Sequence, residues 1–328
     1  MGGMRVAVVG GGANCEHEVS LASAASAVRA LAGIHETVPV TIGPDGGWTG
    51  VDGERLTFAE AVDLLSGCEV VLPVVHGPGG EDGSLAALCE LAGVTYVGSG
   101  VRAGALAMDK WATKLVAEAV GLRTAPGTLV TAGRTGRCRF DRPVVVKPVA
   151  AGSSHGVSLV RRPEDLDRAL TEAFVLDDRV LVEHVVSGRE VDVAVLARPD
   201  GTRLVSPALE IVADGLFDHA MKYGGHADFR LPAVLDAADA VALRTAAVRV
   251  FDALGCDGLA RVDFFLTDDG PVLNEVNTMP GLTAHSQAPL MMAAAGLSYP
   301  ELLDTLVRDA AWRGPRRPGA VGTGRVVL

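Results

Sequence analysis

Apolar positions in the first hundred residues follow two different periods. Short apolar runs with the length of buried strands lie at 5–9, 38–42 and 70–75. Helical spacing, with apolar residues three and four positions apart, covers 20–31 and 84–92. Alternating strands and helices predict a parallel sheet with helices on its faces, and Pro39 predicts that the second strand lies at an edge. We expect the loops 10–18 and 76–83, at the carboxyl ends of strands, to form a crevice for a small ligand.

After residue 100 the pattern changes to smaller units that mix strands and helices. Helical spacing covers 108–120 and 164–173, and the strand candidates are 143–147, 157–160, 180–184, 259–266 and 271–276. We therefore predict an α/β and α+β protein with a Rossmann-like domain at 1–101, a small central domain at 102–185 and a C-terminal domain at 186–312. Residues 313–328 carry Gly, Pro and Arg without periodicity, which predicts a partly disordered tail.

Length and charge exclude several classes of protein. The chain has 328 residues, more than the roughly 250 to 300 at which one hydrophobic core stops growing, so two or three domains are expected. Its formal net charge is -11, and no cluster of basic residues offers a surface for a phosphate backbone, which argues against a nucleic-acid partner. No apolar run approaches about 18 residues and no secretory signal pattern is present, so we expect a cytoplasmic protein without a membrane partner.

Cysteine and lysine usage narrows the candidate chemistry. The five cysteines include no C-x-x-C pair, which predicts reduced, structural thiols rather than a disulfide framework or a zinc site. Of 29 basic residues only four are lysines, at positions 110, 114, 147 and 222. Because arginine is so strongly preferred elsewhere, a lysine marks a place where a compact ammonium cannot be exchanged for a planar guanidinium. These lysines are therefore the first candidates for functional residues.

A segment near residue 270 predicts a hairpin with charged and amide groups on one face. A three-residue turn, Asp268-Asp269-Gly270, pairs Asp263 with Glu275 and Arg261 with Asn277. Because side chains alternate along a strand, these four point to the same side. Facing carboxylates repel each other unless a cation lies between them, and an Asp, Glu and Asn oxygen set suits Mg²⁺. The alternative is a solvated hairpin face with accidental charge pairing.

A loop of small residues follows the strand that ends at Lys147. It contains Gly152-Ser153-Ser154 and could close over phosphates, with Lys147 as a point charge. It is not a P-loop, because the chain contains no Gly-Lys dipeptide. Gly10-Gly11-Gly12 likewise fails the G-x-G-x-x-G spacing, since Cys15 stands where the third glycine belongs. A plain linker is the alternative.

Ordered motifs cover nearly the whole chain up to about residue 310. In chain order they are Gly10-Gly11-Gly12, Glu16-His17-Glu18-Val19-Ser20, His76 to Gly83, Gly98-Ser99-Gly100-Val101, Met108-Asp109-Lys110, Lys147-Pro148, Gly152-Ser153-Ser154, Glu183, Gly188-Arg189-Glu190, Lys222-Tyr223, Arg261-Val262-Asp263 and Asn274 to Gly281. This set resembles the D-alanine:D-alanine ligase family. The resemblance implies the ATP-grasp fold behind the N-terminal Rossmann-like domain.

The resemblance also implies a reaction, cofactors and partners. It implies an ATP-dependent ligase that joins two D-alanines through an acyl phosphate, for peptidoglycan precursor synthesis. It implies ATP and two Mg²⁺ ions, with Mn²⁺ as an alternative, at Asp263, Glu275 and Asn277. D-alanine and ATP would be the small-molecule partners of a homodimer. The alternatives are a ligase with another acceptor, D-serine or D-lactate, or with a resistance or secondary-metabolite role, and a non-catalytic nucleotide-binding regulator.

Individual roles follow from the same resemblance. The residues implied to bind the nucleotide are Lys110, Lys147, Ser154, Glu183, His184, Val186, Glu190 and Lys222. Those implied to act in catalysis are Glu18, Ser153, Tyr223, Arg261 and Gly281. Arg261 and the Gly281 N–H would stabilise the oxyanion of the tetrahedral intermediate. Glu18 would hold the ammonium of the first substrate, with His76 beside that substrate, and Ser286 would hold the carboxylate of the second.

Ordinary structural roles and departures from the family pattern qualify these assignments. Taken singly, Glu18 could be a helix cap, Tyr223 a core aromatic and His76 a turn histidine. Residues 217–221 read Phe-Asp-His-Ala-Met, where the family commonly has Tyr, Asp, Tyr, Glu and Ala. This departure leaves the choice of second substrate open. Tyr223 favours an amine nucleophile, because depsipeptide-forming relatives often carry His at that position.

Overall fold

The computed structural model describes residues 2–132, 140–212 and 228–316 and arranges them around three β-sheets. The first sheet contains β1 (Arg5–Gly11), β2 (Glu36–Ile42), β3 (Trp48–Thr49), β4 (Arg55–Leu56) and β5 (Val70–Pro73), in the order β4-β3-β2-β1-β5. Helices α1 (His17–Leu31), α2 (Phe58–Ser66) and α3 (Ser84–Ala92) accompany it. β1 pairs in parallel with β2 and β5, which confirms the predicted parallel sheet.

Alternate residues of β1 enter two different cores, so both faces of this sheet are covered. Val6 and Val8 pack in one cluster with α1, whereas Ala7 and Val9 pack in another with β2. None of the four is more than 1% exposed. A strand buried on both faces explains the continuous apolar run.

The edge position predicted for β2 is wrong. β2 pairs with β1 over its whole length and with β3 at Thr41 and Ile42. Pro39 is nevertheless tolerated, because β3 covers only the last two residues of β2 and leaves Pro39 without a strand on that side.

The central sheet is four-stranded and antiparallel. It contains β7 (Gly127–Thr131), β8 (Val144–Pro148), β9 (Ser158–Val160) and β10 (Arg179–His184), in the order β7-β10-β8-β9, with α6 (Leu166–Phe174) beside it. The helix predicted at 108–120 is in fact two helices, α4 (Val101–Met108) and α5 (Lys110–Ala119). Asp109 separates them because its backbone is extended and its side chain caps α5, accepting the Ala112 N–H at 2.8 Å.

The C-terminal sheet contains strands from two parts of the chain. Its order is β14-β13-β11-β15-β16-β6, and β12 pairs with β11. The bounds are β6 (Arg123–Thr124), β11 (Arg189–Ala197), β12 (Arg203–Val205), β13 (Leu209–Val212), β14 (Asp228–Arg230), β15 (Leu259–Thr267) and β16 (Gly270–Asn277). Helices α7 (Ala237–Leu254), α8 (Gln287–Ala294) and α9 (Tyr299–Arg313) follow these strands. β6 therefore belongs to the C-terminal sheet, although it lies within the central domain predicted at 102–185. The domain boundaries stay predictions.

The β15–β16 hairpin has the predicted pairing but not the predicted turn. Thr267 pairs with Gly270, so the turn is shorter than the three residues predicted. A bulge between Asp263 and Phe264 then adds one residue, Asn274, to β16. The extra residue restores the predicted opposition of Asp263 and Glu275.

Other predictions concern the membrane, the cysteines and the tail. In the described part of the chain, no helix is long and apolar enough to cross a membrane.

The described cysteines Cys15, Cys68, Cys89 and Cys256 are free thiols, and Cys138 lies outside the described residues. Of the predicted tail, Arg313 ends α9 and Arg316 forms an ion pair with Asp257 at 2.6 Å, while residues 317–328 lie outside the described part.

Candidate active site

The two loops predicted to form a crevice meet at Asn14. Its side-chain amide donates to the carbonyl oxygens of His76 at 3.0 Å and of Pro78 at 2.7 Å. Its Oδ1 accepts the Glu16 N–H at 2.7 Å. The loop after β1 is therefore tied to the loop after β5, as expected at the carboxyl ends of neighbouring parallel strands.

Glu16 is buried beside this crevice, close to Ser153, Gly77 and Gly152, and we call these four residues the carboxylate pocket. The Glu16 carboxylate is 6% exposed and accepts a hydrogen bond from Ser153 Oγ. Its Oε2 is buried and has no hydrogen-bond partner among the described residues. A Cβ atom on Gly77 or Gly152 would lie 2.4 or 2.2 Å from Oε2, so both glycines permit this close approach.

The prediction that Glu18 forms the hydrogen-bonded set with Ser153 is wrong, because Glu16 takes that place. Glu18 is exposed in the first turn of α1. Helical spacing explains the difference: Glu16 precedes Ser20 and Ser23 by four and seven positions and so shares their buried face, whereas Glu18 does not. The amphipathic pattern of α1 was the signal that could have identified Glu16.

The β15–β16 hairpin brings the predicted charged set together on one face. Arg261 donates to both oxygens of Asp263, at 2.7 and 2.8 Å, and Asn277 Nδ2 donates to Asp263 Oδ2 at 3.0 Å. Arg261 Nε also lies 3.4 Å from Asp192 Oδ2, on β11. Burial opposes the charge on Arg261, but the neighbouring carboxylates raise its pKa well above the ordinary value. Its guanidinium is therefore a permanent, fixed positive charge.

A cavity of about 540 Å³ lies between the central and C-terminal sheets, and we call it the lysine cavity. Of the residues predicted to bind the nucleotide, those that line it are Lys110, Lys147, Ser154, Glu183, His184, Val186 and Glu190. Lys110 Nζ donates to the Ala151 carbonyl at 2.7 Å and lies 3.5 Å from Glu275. Lys147 Nζ lies 2.6 Å from Glu183. A pocket with two ammonium groups suits an anionic ligand.

Glu183 neutralises the lysines at the edge of this cavity. Lys114, a candidate lysine to which the family resemblance gave no role, also forms an ion pair with Glu183 and donates to the Ala125 carbonyl. Burial would raise the pKa of Glu183, but Lys147 and Lys114 together lower it below its ordinary value. The carboxylate is therefore ionised. An incoming anion could take its place as the partner of a lysine.

The loop between β8 and β9 has an unusual backbone. Ser153 and Ser154 have positive φ angles of 49° and 58°, a region that non-glycine residues rarely occupy. The loop is held by the Ser153–Glu16 hydrogen bond and by the Ala150 N–H, which donates to Asp177 at 2.7 Å. Such strain is typical of ligand-binding loops.

The residues predicted as metal ligands form an incomplete site. Asp263 and Glu275 are cross-strand neighbours, and Asn277 contacts Asp263. Among the residues that the structure describes, no three His, Cys, Asp or Glu side chains come together as a metal site. Two carboxylates and an amide oxygen fit Mg²⁺ when water and phosphate oxygens complete the shell. The donor set therefore fits Mg²⁺ together with a phosphate-bearing ligand.

The predicted substrate-binding residues lie around the loop that follows β16. His76 is 3% exposed, and its ring nitrogens contact the Met279 carbonyl oxygen and Ser23 Oγ. Gly281 packs beside Ser286, whose Oγ accepts the Thr283 N–H at 3.1 Å. The other two predicted site residues, Lys222 and Tyr223, lie outside the described residues.

Sequence reasoning gave no role to several residues that adjoin the site. Glu81 accepts the N–H groups of Gly77 and Met279, and Asp192 contacts Arg261 and accepts from Gln287. Asn274, the bulge residue, lies 3.3 Å from Lys147 Nζ. A second cavity, of about 680 Å³, lies near the end of α9 and contains none of the predicted site residues.

Comparisons with known proteins identify the family. Family models described as D-ala D-ala ligase N-terminus and C-terminus match residues 5–99 and 132–308. A D-alanine--D-alanine ligase from Mycolicibacterium vanbaalenii is 43% identical over an alignment of 359 positions, covering 95% of this chain and 98% of the relative. One from Mycobacterium avium is 42% identical and covers 95% and 97%.

Solved structures of related ligases share the fold of this chain. VanG D-Ala:D-Ser ligase from Enterococcus faecalis has a TM-score of 0.83 and 32% identity, covering 94% of this chain and 99% of that one. The D-alanine-D-alanine ligase from Coxiella burnetii has a TM-score of 0.80 and 29% identity, covering 95% of each. The predicted ATP-grasp fold is thereby confirmed, and the chain belongs to the D-alanine–D-alanine ligase family.

Proposed function

We propose that this protein joins two D-alanines in an ATP-dependent reaction that releases ADP and inorganic phosphate, for peptidoglycan precursor synthesis. The observation that carries the proposal is that Arg261, Asp263 and Glu275 share one hairpin face, with Glu275 lining the lysine cavity. The 42 to 43% identity with proteins named D-alanine--D-alanine ligase supports it.

In the first half of the reaction, the terminal phosphoryl group of ATP passes to the carboxylate of the first D-alanine. Lys110 and Lys147 bind the phosphates, which replace Glu275 and Glu183 as their partners. His184 and Val186 contact the adenine, and Glu190 binds the ribose. Asp263, Glu275 and Asn277 would hold Mg²⁺, which would supply positive charge to offset that of the phosphates. Lys222 contributes a further phosphate contact, and Ser154 lies on the loop over the nucleotide.

In the second half, the amine of the second D-alanine attacks the acyl phosphate, and phosphate leaves. Glu16 holds the ammonium of the first D-alanine, in place of the predicted Glu18. Arg261 and the Gly281 N–H stabilise the oxyanion of the tetrahedral intermediate, each contributing about 3 to 4 kcal/mol. Ser286 holds the carboxylate of the second substrate, and Ser153 and Tyr223 shape the site. We further propose that the protein acts as a homodimer.

The test is an acceptor screen on the full chain with ATP and Mg²⁺. We expect D-alanine alone to release ADP and give D-alanyl-D-alanine, measured by a coupled ADP assay and by mass spectrometry. No turnover with D-alanine alone would overturn the proposal. Turnover that requires added D-serine or D-lactate would instead support a ligase with another acceptor.

A variant of Arg261 separates catalysis from nucleotide binding. Arg261→Lys keeps a positive charge between Asp192 and Asp263 but loses the bidentate geometry. We expect dipeptide formation to fall sharply while ATP still binds, as measured by calorimetry. Unchanged turnover would contradict the catalytic role of Arg261, whereas ATP binding without any turnover in the wild-type protein would favour a non-catalytic nucleotide-binding protein.

A further inference from the structure

Met279, in the segment that follows β16, is held by residues of the N-terminal sheet domain. Glu81 Oε1 accepts the Met279 N–H at 3.0 Å. His76 Nδ1 lies 2.8 Å from the Met279 carbonyl oxygen. Both polar groups of this peptide position are therefore bound by the loop after β5, although Met279 belongs to the C-terminal part of the chain.

A second contact closes a ring of hydrogen bonds around Gly281. His76 Nε2 lies 2.9 Å from Ser23 Oγ, and the same Oγ accepts the Leu282 N–H at 3.3 Å. The connection therefore runs from the Met279 carbonyl through His76 and Ser23 to the Leu282 amide. We call these four residues the His76–Ser23 bracket. Gly281 lies inside it, and no group among the described residues accepts its N–H.

The donor and the acceptor in each hydrogen bond of the bracket can be assigned. The Met279 carbonyl can only accept, so His76 Nδ1 carries a proton. Burial lowers the pKa of His76, which favours the neutral ring. Nε2 is then an acceptor for the Ser23 hydroxyl, and the Ser23 oxygen is left to accept from Leu282. Ser23 therefore both donates and accepts.

The bracket begins on the helix that follows Glu16. Ser23 lies seven residues, or about 10 Å along a helix, beyond Glu16 at the start of α1. Ser20, on the same face, accepts the His76 N–H at 3.0 Å. One helix therefore connects Glu16, at its start, with Ser23 in the bracket.

We propose that Ser23 is a positioning residue for the ligation step, which fixes the Gly281 N–H at a set distance from Glu16 through His76 and Leu282. This inference rests on the proposed function, in which Gly281 stabilises the oxyanion. Because stabilisation of an oxyanion depends on donors that are already in place, a loosened Gly281 lowers the rate of the chemical step more than it weakens substrate binding.

Ser26 provides the matched control. It lies three residues further along α1 and accepts the Ala284 N–H at 3.3 Å, the same distance as in the Ser23 contact. Ser26 is not among the described hydrogen-bond partners of the His76 ring, which are Met279 and Ser23, and it lies outside the bracket. Ser23→Ala and Ser26→Ala therefore each remove one hydroxyl that bonds the same loop, but only Ser23→Ala opens the bracket.

The experiment measures dipeptide formation and binding of a phosphinate analogue of the tetrahedral intermediate. For Ser23→Ala we expect kcat and the affinity for the analogue to fall by the same factor, about ten- to a hundredfold, with the KM for ATP within about twofold. For Ser26→Ala we expect both to stay within about threefold. Equal losses in the two variants, or a lower kcat with unchanged analogue binding, would overturn the inference.

A second variant, Ser23→Cys, and the wild-type enzyme serve as controls for the loss of kcat in Ser23→Ala. If Ser23→Ala unfolds, as judged by its Tm, Ser23→Cys keeps a similar volume with a weaker donor, and we expect an intermediate loss of kcat. A wild-type kcat in Ser23→Cys would overturn the inference. A wild-type enzyme that forms no dipeptide overturns the proposed function instead, so the two failures are distinguishable.

Discussion

Two glutamates border the candidate active site, and their pKa values move in opposite directions. Burial, together with the nearby charge of Glu16, raises the pKa of Glu81 to about 7. Burial acts on Glu183 in the same direction, but Lys147 and Lys114 lower its pKa below the ordinary value. The lysine cavity is therefore rich in cations, and the region around the carboxylate pocket is rich in anions.

We infer from this difference that the two ends of the site suit ligands of opposite charge, and that each does so by different means. In the lysine cavity, Lys110 and Lys147 already have acceptors, so a bound phosphate would have to exchange with a carboxylate. In the carboxylate pocket, Glu16 Oε2 is buried and no described residue bonds it. A buried carboxylate oxygen without a partner is costly, so a substrate ammonium would gain a contact that no described residue uses.

The largest expected effect is that of removing the negative charge from the carboxylate pocket. Glu16→Gln keeps the size of the side chain but loses the negative charge that pairs with an ammonium, and it should lower kcat/KM for D-alanine about 100- to 1000-fold. The KM for ATP should change little. Glu18→Gln is the control, and since Glu18 is exposed, we expect a change within about twofold. The measurement is kcat/KM from steady-state kinetics. A larger effect in Glu18→Gln than in Glu16→Gln would assign the ammonium-binding role to Glu18.

The raised pKa of Glu81 predicts a pH dependence of stability. Between about pH 4.5 and 7 the folded protein keeps a proton on Glu81 that the unfolded chain has lost. The free energy of unfolding should therefore fall as the pH rises through this range, by at most about 3 kcal/mol, and then level off.

Glu81→Gln tests this dependence because it removes the titrating group and keeps one acceptor oxygen. Urea unfolding of both proteins at pH 5, 6, 7 and 8 gives the two slopes. We expect the free energy of unfolding to fall more steeply with pH for the wild type than for the variant within this range. Parallel slopes would indicate that Glu81 does not titrate there.

A substitution in the lysine cavity should act on the nucleotide instead. Lys147→Met should raise the KM for ATP about 10- to 30-fold with a smaller change for D-alanine, because Lys147 lines the cavity. Lys114→Met is the control: it also removes one partner of Glu183, but Lys114 is only 4% exposed and does not line the cavity. An equal rise in both variants would assign the effect to Glu183.

The smallest expected effect concerns space around Glu16. Gly77 and Gly79 both have positive φ angles, 72° and 87°, but only at Gly77 would a Cβ meet Glu16. Gly77→Ala should therefore lower kcat/KM for D-alanine about five- to tenfold more than Gly79→Ala, since backbone strain is common to both. The ratio of the two kinetic constants is the measurement. Equal losses would show that strain alone matters.

The comparison of Glu16 and Glu18 also indicates where sequence reasoning was limited. Both glutamates belong to one motif, and only the side of α1 that packs inward separates them. The hairpin is a second case: the predicted pairing of Asp263 with Glu275 is confirmed, although the turn is one residue shorter, because the bulge at Asn274 compensates. The predicted turn was one residue too long and the bulge was not predicted, and the two differences compensate each other in the register.

Local patterns in the sequence were sufficient for the sheet class, the hairpin face and the lysines that line the cavity. Periodicity and residue type depend on neighbours along the chain, so they can be identified without coordinates. Tertiary structure alone decided that Glu183 meets two lysines, that Asp192 contacts Arg261, and that Ser23 reaches Leu282 across 259 positions. Those contacts join residues from separate sheets and helices, and the energy of a buried charge or hydrogen bond depends on which partners the fold brings within reach.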